Sequence, residues 1–484
     1  MEIVSRIGRL PGIRRVRELI DAIFAHLIEI QRRHDVLEAT QAQAEAMNRS
    51  RFEDVQRRFE EVQQRFAEIQ SRQDALERLV IATQLPPKEA GYDVIVTPNE
   101  INEKHGTGFL LKRVFGGCRQ MMSVRSADHF EGEHSFGEES FLVSHGWSSR
   151  PTWFAHTLQQ LRGRVARRVI CVPYLLDDIK TAITLKEVYG APICLWLMDD
   201  QSVAIHRIPY ELMREFLAKC SLRLTTHSEM REAYEREFGF KFYLFPAVVP
   251  ENLIVEAIKT PRSDLLAEKR GALFGSIWSR KWADQLMCTV KGSGLQCDWY
   301  GNNHPLGFEL NDTELIEAGI TPKGIVPEEQ LPDLLARYPY LIVPTGNLEP
   351  DDPGTPTARL SLPGRILFGM ATANTPVIVL GHPDTPAARF VQHFKIGLRS
   401  DYDPDGFRTA VDSVVDEKTQ YQMRSNAVQV APRLSSKDAS DWVFRSLDLG
   451  KPCDDRFERL MPATVGDKYF TPAMEGYFSP AIGG

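Results

Sequence analysis

Apolar residues in the first part of the chain recur in sevens. From Val55 the text reads VQRRFEE, VQQRFAE, IQSRQDA and then Leu76, which puts Phe52, Val55, Phe59, Val62, Phe66, Ile69 and Leu76 at a and d positions. The seam predicts an α-helical coiled coil over residues 1–85 and, with it, a homo-oligomer; the alternative is one long helix folded back on the rest of the chain. Gln73 interrupts the seam at an a position, and upstream the register shifts against Leu37, Ala44 and Met47 as a stutter does, so the pattern does not fix the number of strands. Further upstream, Ile3, Ile7, Leu10, Ile13, Val16, Ile20, Ile23 and Phe24 share one face, and Arg6, Arg9, Arg14, Arg15 and Arg17 crowd the remainder. A basic amphipathic segment of this kind suits peripheral contact with an anionic membrane or docking against a partner helix.

At LPPKEAGYDVI, from Leu85, the period changes. Short apolar runs (YDVIVTP, SFLVSHG, RRVICVPYLL, APICLWLMDD, LRLTTHS) alternate with stretches of helical spacing such as TAITLKEVYG and ELMREFLAKC. A second series follows PAVVPENLIVEAIKTPRSDLL: RGALFGSIW, ADQLMCTVKGSG, LQCDWYGNN, PYLIVPTG, PGRILFGMATAN and TPVIVLG. Strand and helix alternating at this density predict parallel sheets covered on both faces. The expected fold class is therefore α/β, with two doubly wound, Rossmann-like domains at 90–255 and 265–445, an N-terminal helical region at 1–85 and a tail at 446–484. In such folds ligands bind outside the carboxyl ends of the strands, here in a cleft between two sheets.

Composition narrows the class of partner. A chain of 484 residues with 43% hydrophobic and 25% charged residues has volume for two or three cores, and its net charge of -7 gives no reason to expect nucleic acid. Seven cysteines lie far apart, several inside apolar runs, and no apolar run reaches membrane-spanning length, so a reduced, cytoplasmic setting is expected.

Candidate chemistry concentrates at the ends of the apolar runs. In the second half, runs end in FGSIWSRKW with Gly275, Arg280 and Lys281, in WYGNN with Gly301, and in IVPTGN with Thr345 and Gly346. Glycine lets a phosphate approach main-chain N–H groups, a helix N-terminus favours an anion, and Arg or Lys offsets its charge. In SLPGRILFGM, Arg365 follows Pro363 and Gly364 at the expected first turn of a helix aimed into the cleft, where it would face a diphosphate; Ser361 would cap that helix or donate to the ligand. In the first half, Asp199 and Asp200 end a strand, where a carboxylate can act as a base, hold a hydroxyl, bind a cation or simply cap the next segment. His145 in LVSHGW is a further candidate beside a structural reading of the same residue.

SLPGRILFGMATANTPVIVLG resembles the S-x-P-x-[KR] variant of the donor-site segment in GT-B glycosyltransferases, the class that includes glycogen synthase and other retaining nucleotide-sugar transferases. FGSIWSRKW is similar to the family's first donor-domain loop, HSEMREAYEREFG followed by LFPAVVPENLI to the end of its acceptor domain and hinge, and NEKHGTGFLLKRVF, with Gly106, Thr107 and Gly108, to its glycine-rich acceptor loop. The likeness spans about residues 92–445 and departs from the pattern at two places: Leu360 and Phe368 stand where many retaining members carry two glutamates. In WLMDDQ, Asp199 or Asp200 matches the family's acidic position after a strand.

The resemblance implies a transferase that moves a sugar from a nucleotide-diphosphate donor to a hydroxyl of a glycan or glycolipid, with Gly275, Arg280, Lys281 and Arg365 opposing the charge of the leaving diphosphate. No metal and no cofactor beyond the donor substrate is then required. The alternatives are a nucleotide-sugar epimerase or hydrolase of the same architecture, and an inactive scaffold organised by the coiled coil. The coiled coil would hold oligomers at the inner face of the cell membrane.

Overall fold

The computed structural model describes residues 22–29, 31–32, 59–65, 91–146, 148–301, 308, 310–458 and 460. The basic N-terminal segment, most of the heptad seam and the tail beyond 460 lie outside these residues. Residues 22–29 and 59–65 are helical, and a shallow hollow between them is lined by Phe24, Leu27, Ile28, Gln31, Phe59 and Gln63.

The first sheet contains β1 (Tyr92–Thr97), β2 (Met121–Arg125), β3 (Glu139–Leu142), β4 (Ala166–Cys171), β5 (Ile193–Leu197), β6 (Leu222–Thr225) and β7 (Tyr243–Leu244). Its helices are α1 (Gly106–Phe115), α2 (Arg150–Leu161), α3 (Leu176–Tyr189), α4 (Tyr210–Lys219) and α5 (Ser228–Phe238). All seven strands pair in parallel in the order β3-β2-β1-β4-β5-β6-β7.

The second sheet contains β8 (Gly271–Phe274), β9 (Cys297–Tyr300), β10 (Ile320–Gly324), β11 (Leu341–Pro344), β12 (Val377–Leu380) and β13 (Gly397–Ser400), parallel in the order β10-β9-β8-β11-β12-β13. Its helices are α6 (Ser263–Ala267), α7 (Arg280–Ser293), α8 (Asp312–Glu317), α9 (Leu331–Ala336), α10 (Thr355–Arg359), α11 (Gly364–Ala373), α12 (Pro386–Phe394), α13 (Pro404–Val415) and α14 (Glu417–Val430), and α15 (Ala439–Leu449) is the last helix among the described residues.

The strands read as unbroken apolar runs because both faces are covered. Alternate residues serve opposite layers: in β5, Ile193, Leu195 and Leu197 join one core while Cys194 and Trp196 join the other. In β12, Val377 and Val379 face one layer, and Ile378 and Leu380 the other. Both sheets thus match the two doubly wound, Rossmann-like domains expected from the sequence.

Each sheet order reverses once. In the first, the chain leaves β1 for β2 and β3 and then jumps to β4; in the second, it leaves β8 for β9 and β10 and jumps to β11. Loops at these two points diverge and leave a crevice.

The chain crosses between the sheets twice. It passes outward after β7, and it returns where Val249 and Ser435 form a bridge and the Val249 N–H donates to the Leu434 carbonyl (2.8 Å). Helix α15 then packs on the first sheet, with Trp442 stacked on Phe245 at 5.5 Å between ring centres. Reading by contiguity put residues 439–445 with the second domain, but their apolar face is buried in the first. Among the described residues no helix is long and apolar enough to cross a membrane, and the seven cysteines are free thiols.

Candidate functional site at the two strand-end crevices

At the reversal point of the second sheet, Gly275 follows β8 with φ +78, a conformation a side chain rarely adopts. Its N–H donates to the Tyr300 carbonyl (2.9 Å), and its own carbonyl accepts from the Trp299 indole (2.8 Å). Gly301 lies against this turn, with its N–H donating to the Gly324 carbonyl (2.9 Å). Arg365 reaches the same turn from α11, and Nη1 donates to the carbonyls of Phe274 (3.2 Å) and Ser276 (2.6 Å). Thr345 follows β11, where its carbonyl accepts from the Tyr402 hydroxyl (2.7 Å), and Gly346 accepts from the His382 N–H (3.0 Å). Burial raises the proton affinity of the Tyr402 phenol, and the nearby Arg365 guanidinium opposes that rise. The structure therefore gathers Gly275, Gly301, Thr345, Gly346 and Arg365 at one crevice.

The cations there differ in how they are held. Arg280 pairs with Asp284 (2.8 Å) and Glu314 (3.5 Å), and Lys281 with Glu349 (2.6 Å) and Asp351 (3.3 Å). Among the described residues no carboxylate pairs with Arg365, and Nε and Nη2 make no hydrogen bond there. Burial pushes its guanidinium down to about 10. It also sits in the first turn of α11, which contains no acidic residue and where the helix dipole opposes a cation. A partly desolvated cation so placed is stabilised by an anion at the same spot. Pro363 occupies the N-cap position with no side-chain cap bond, so half-buried Ser361 does not cap the helix.

The two positions of the missing glutamates are apolar packing sites. Leu360 joins the core of the first domain, and Phe368 is buried beside Phe274 with the Arg113 guanidinium 5.2 Å from its ring centre.

At the reversal point of the first sheet three loops meet. Thr107 opens α1 after β1, Tyr174 follows β4, and Asp199 follows β5. The Tyr174 hydroxyl donates to Asp199 Oδ2 and lies 3.2 Å from Thr107 Oγ1. Asp199 is half-buried; burial raises its proton affinity, the Tyr174 hydrogen bond lowers it, and the charge of Asp200 raises it. Oδ1 has no hydrogen-bond partner among the described residues. Gly106 borders open space, whereas a Cβ on Gly108 would lie 2.1 Å from the Asn102 carbonyl, so the turn into α1 requires glycine there.

Asp200 has a different job. Its two oxygens accept from the N–H groups of Ser202, Val203, Ala204 and Ile205 and from the Tyr234 hydroxyl, at 2.7–3.1 Å. It caps the following loop with every lone pair engaged. His145 is also held structurally: Nε2 is 2.9 Å from Thr181 Oγ1, its N–H donates to Asp177, and burial pushes its imidazole down to about 4. The hydrogen-bond partners of its ring and N–H come from α3, and among the described residues it has no bond to the Thr107–Tyr174–Asp199 group.

Sequence reasoning did not single out Tyr174, Tyr402 or Asp178. Asp178 is fully buried and accepts from the N–H groups of Tyr174 and Leu175 (both 2.8 Å) and from Ser126 Oγ (2.5 Å), which fixes the loop carrying Tyr174. The signal available was PYLLDD, an aromatic at a strand end followed by a capping acid.

No family profile and no curated protein matches the sequence. Among solved structures, Anabaena HepE in complex with UDP superimposes with a TM-score of 0.54 at 14% identity, over 74% of this chain and 100% of that one. The chain has the GT-B fold. S. aureus MnaA with UDP is also similar, at a TM-score of 0.44 and 11% identity over 78% of this chain and 100% of that one, a level too low to add to the argument. In this GT-B fold the domains touch beside the crevices: Arg113 of α1 forms a two-pronged ion pair with Glu328 (2.6 and 3.1 Å), and Arg389 of α12 pairs with Glu229 of α5 (2.8 Å). Among the described residues no group of three or more His, Cys, Asp or Glu side chains is arranged to hold a metal ion.

Proposed function

We propose that the protein is a glycosyltransferase that moves a sugar from a nucleotide-diphosphate donor to a hydroxyl of a glycan or glycolipid. The observation that carries this reading is Arg365, a half-buried guanidinium with no carboxylate partner among the described residues, beside the Gly275 turn and in the first turn of α11. The capture of a similarly folded protein with UDP supports a nucleoside diphosphate as the anion.

In this reading Arg365 opposes the charge that develops on the diphosphate as the bond from the anomeric carbon to the phosphate oxygen breaks. The acceptor oxygen forms the new bond to that carbon, and its proton passes to Asp199 Oδ1. The guanidinium provides the counter-charge, so the reading invokes no metal. Arg280 and Lys281 join only if the ligand displaces Asp284, Glu314, Glu349 and Asp351 from them. The N-terminal heptads hold copies together at a membrane surface where lipid-linked acceptors sit.

The test is thermal unfolding against a panel of nucleoside diphosphates and nucleotide sugars, with Arg365→Ala alongside. A nucleotide bound at a hundred times its Kd raises stability by about 2.7 kcal/mol. A shift selective for one base in the native protein, lost in Arg365→Ala and partly kept in Arg365→Lys, is expected. No shift with any member of the panel would overturn the reading, and donor consumption without acceptor would turn it into an epimerase or hydrolase.

A further inference from the structure

The two adjacent aspartates each have their own tyrosine, and the pairs are built differently. Tyr234 donates to an Asp200 whose oxygens are already filled by four backbone N–H groups. Tyr174 donates to one oxygen of an Asp199 whose other oxygen is unbonded among the described residues. Tyr174 is itself held from two sides. Its N–H is fixed by the buried Asp178 carboxylate of α3, and its hydroxyl, committed as a donor to Asp199, is left to accept from Thr107 Oγ1 of α1 (3.2 Å). The three strand-end loops at the reversal point are thereby tied into one hydrogen-bonded chain.

We propose that Tyr174 is a positioning residue for the reaction, clamping Asp199 Oδ2 so that Oδ1 is left to receive the acceptor's proton. This rests on the transferase reading above. The groups facing the pair are Asp200 on the same loop, Asp178 on α3 and Thr107 on α1; no cation among the described residues bonds to either side chain. Burial and Asp200 both favour the protonated form of Asp199, and the Tyr174 hydroxyl is what opposes them. A carboxylate held neutral cannot accept a proton, so the phenol keeps the base in its working form. A Thr107 donor polarises the phenol and strengthens its own donation.

The experiment is a direct titration of Asp199 by carboxyl 13C NMR of the full chain labelled at aspartate, with Asp199→Asn identifying the signal. In Tyr174→Phe the midpoint is expected to rise by about one pH unit, a tenfold change in proton affinity, because one hydrogen bond to the charged form is lost. Thr107→Val, which leaves the ring in place should the first variant fold poorly, is expected to raise it by less. An unmoved midpoint in Tyr174→Phe overturns the inference whatever the activity. With the donor selected by the thermal panel, the acidic limb of kcat against pH should move by the same amount while the donor KM stays constant. If the midpoint moves and the limb does not, Asp199 is not the proton acceptor; the clamp then has no role in the reaction and the inference falls, while the transferase reading keeps its own test in nucleotide binding.

Discussion

Two arginines of the second domain, one buried and one half-buried, show why a charge must be judged by what its donors reach. Arg424 is 1% exposed, yet Nε, Nη1 and Nη2 all donate, to Gln420, Asn374 and the Tyr338 carbonyl, so it stitches α14 to the second sheet. Arg365 uses one nitrogen, and its others have no hydrogen-bond partner among the described residues. Histidines make the same point for protons. His227 is buried at the start of α5, where burial pushes it down to about 4. An unfolded histidine titrates near about 6.5, so between these values the unfolded chain takes up the proton and the folded chain does not. Stability therefore falls as pH falls through this window, by about 1.4 kcal/mol per pH unit for this group. Asp178, raised to about 6 by burial, acts in the opposite sense: its contribution is present at low pH and lost as pH rises through about 6. His227→Gln is expected to flatten the slope of unfolding free energy against pH by the histidine's share, read from urea melts at about pH 7, 6 and 5. The slope staying as steep as in the native protein would mean that His227 is charged when folded.

At the scale of elements, short unbroken apolar runs ending in glycine turns made the sheets legible, and PGR made the head of α11 legible. The difference in bonding between Asp199 and Asp200 was not, since it depends on tyrosines 25 and 34 residues away, brought in by β4 and α5. Nor was the docking of α15. Its helical spacing is plain, but spacing says nothing about which of two apolar cores receives it. Trp442 is 3% exposed between Phe245 and Phe457, and Trp442→Ala is expected to cost about 3 to 5 kcal/mol. The loss should appear in the unfolding of the first domain, as measured by hydrogen exchange of β1 and β6. Faster exchange confined to β11 and β12 would contradict the packing described.

For the molecule as a whole, the junction of the domains lies beside the two strand-end crevices. Arg113 stands further along α1 than the glycine loop, holds Glu328 and the Val248 carbonyl, and lies over Phe368 of α11. Both partners of the ion pair are more than four-fifths buried, with side chains 13% and 14% exposed. A double-mutant cycle of Arg113→Gln and Glu328→Gln is expected to give a coupling of about 1 kcal/mol in unfolding free energy. Zero coupling would mean that the two domains are not held in this arrangement in solution.

The double crossing near Val249 and Ser435 also limits how such a protein can be recombined. Each half looks like a cassette in the linear chain, but the first sheet is completed only by a segment encoded after the second. A chimera that exchanged residues from 256 to the end would bring a foreign α15 to the Phe245 surface. One that exchanged only the stretch between the crossings would leave Trp442 with the aromatic partners it already fits. The second domain can therefore be exchanged as an insertion within the first, and not as a tail joined to it.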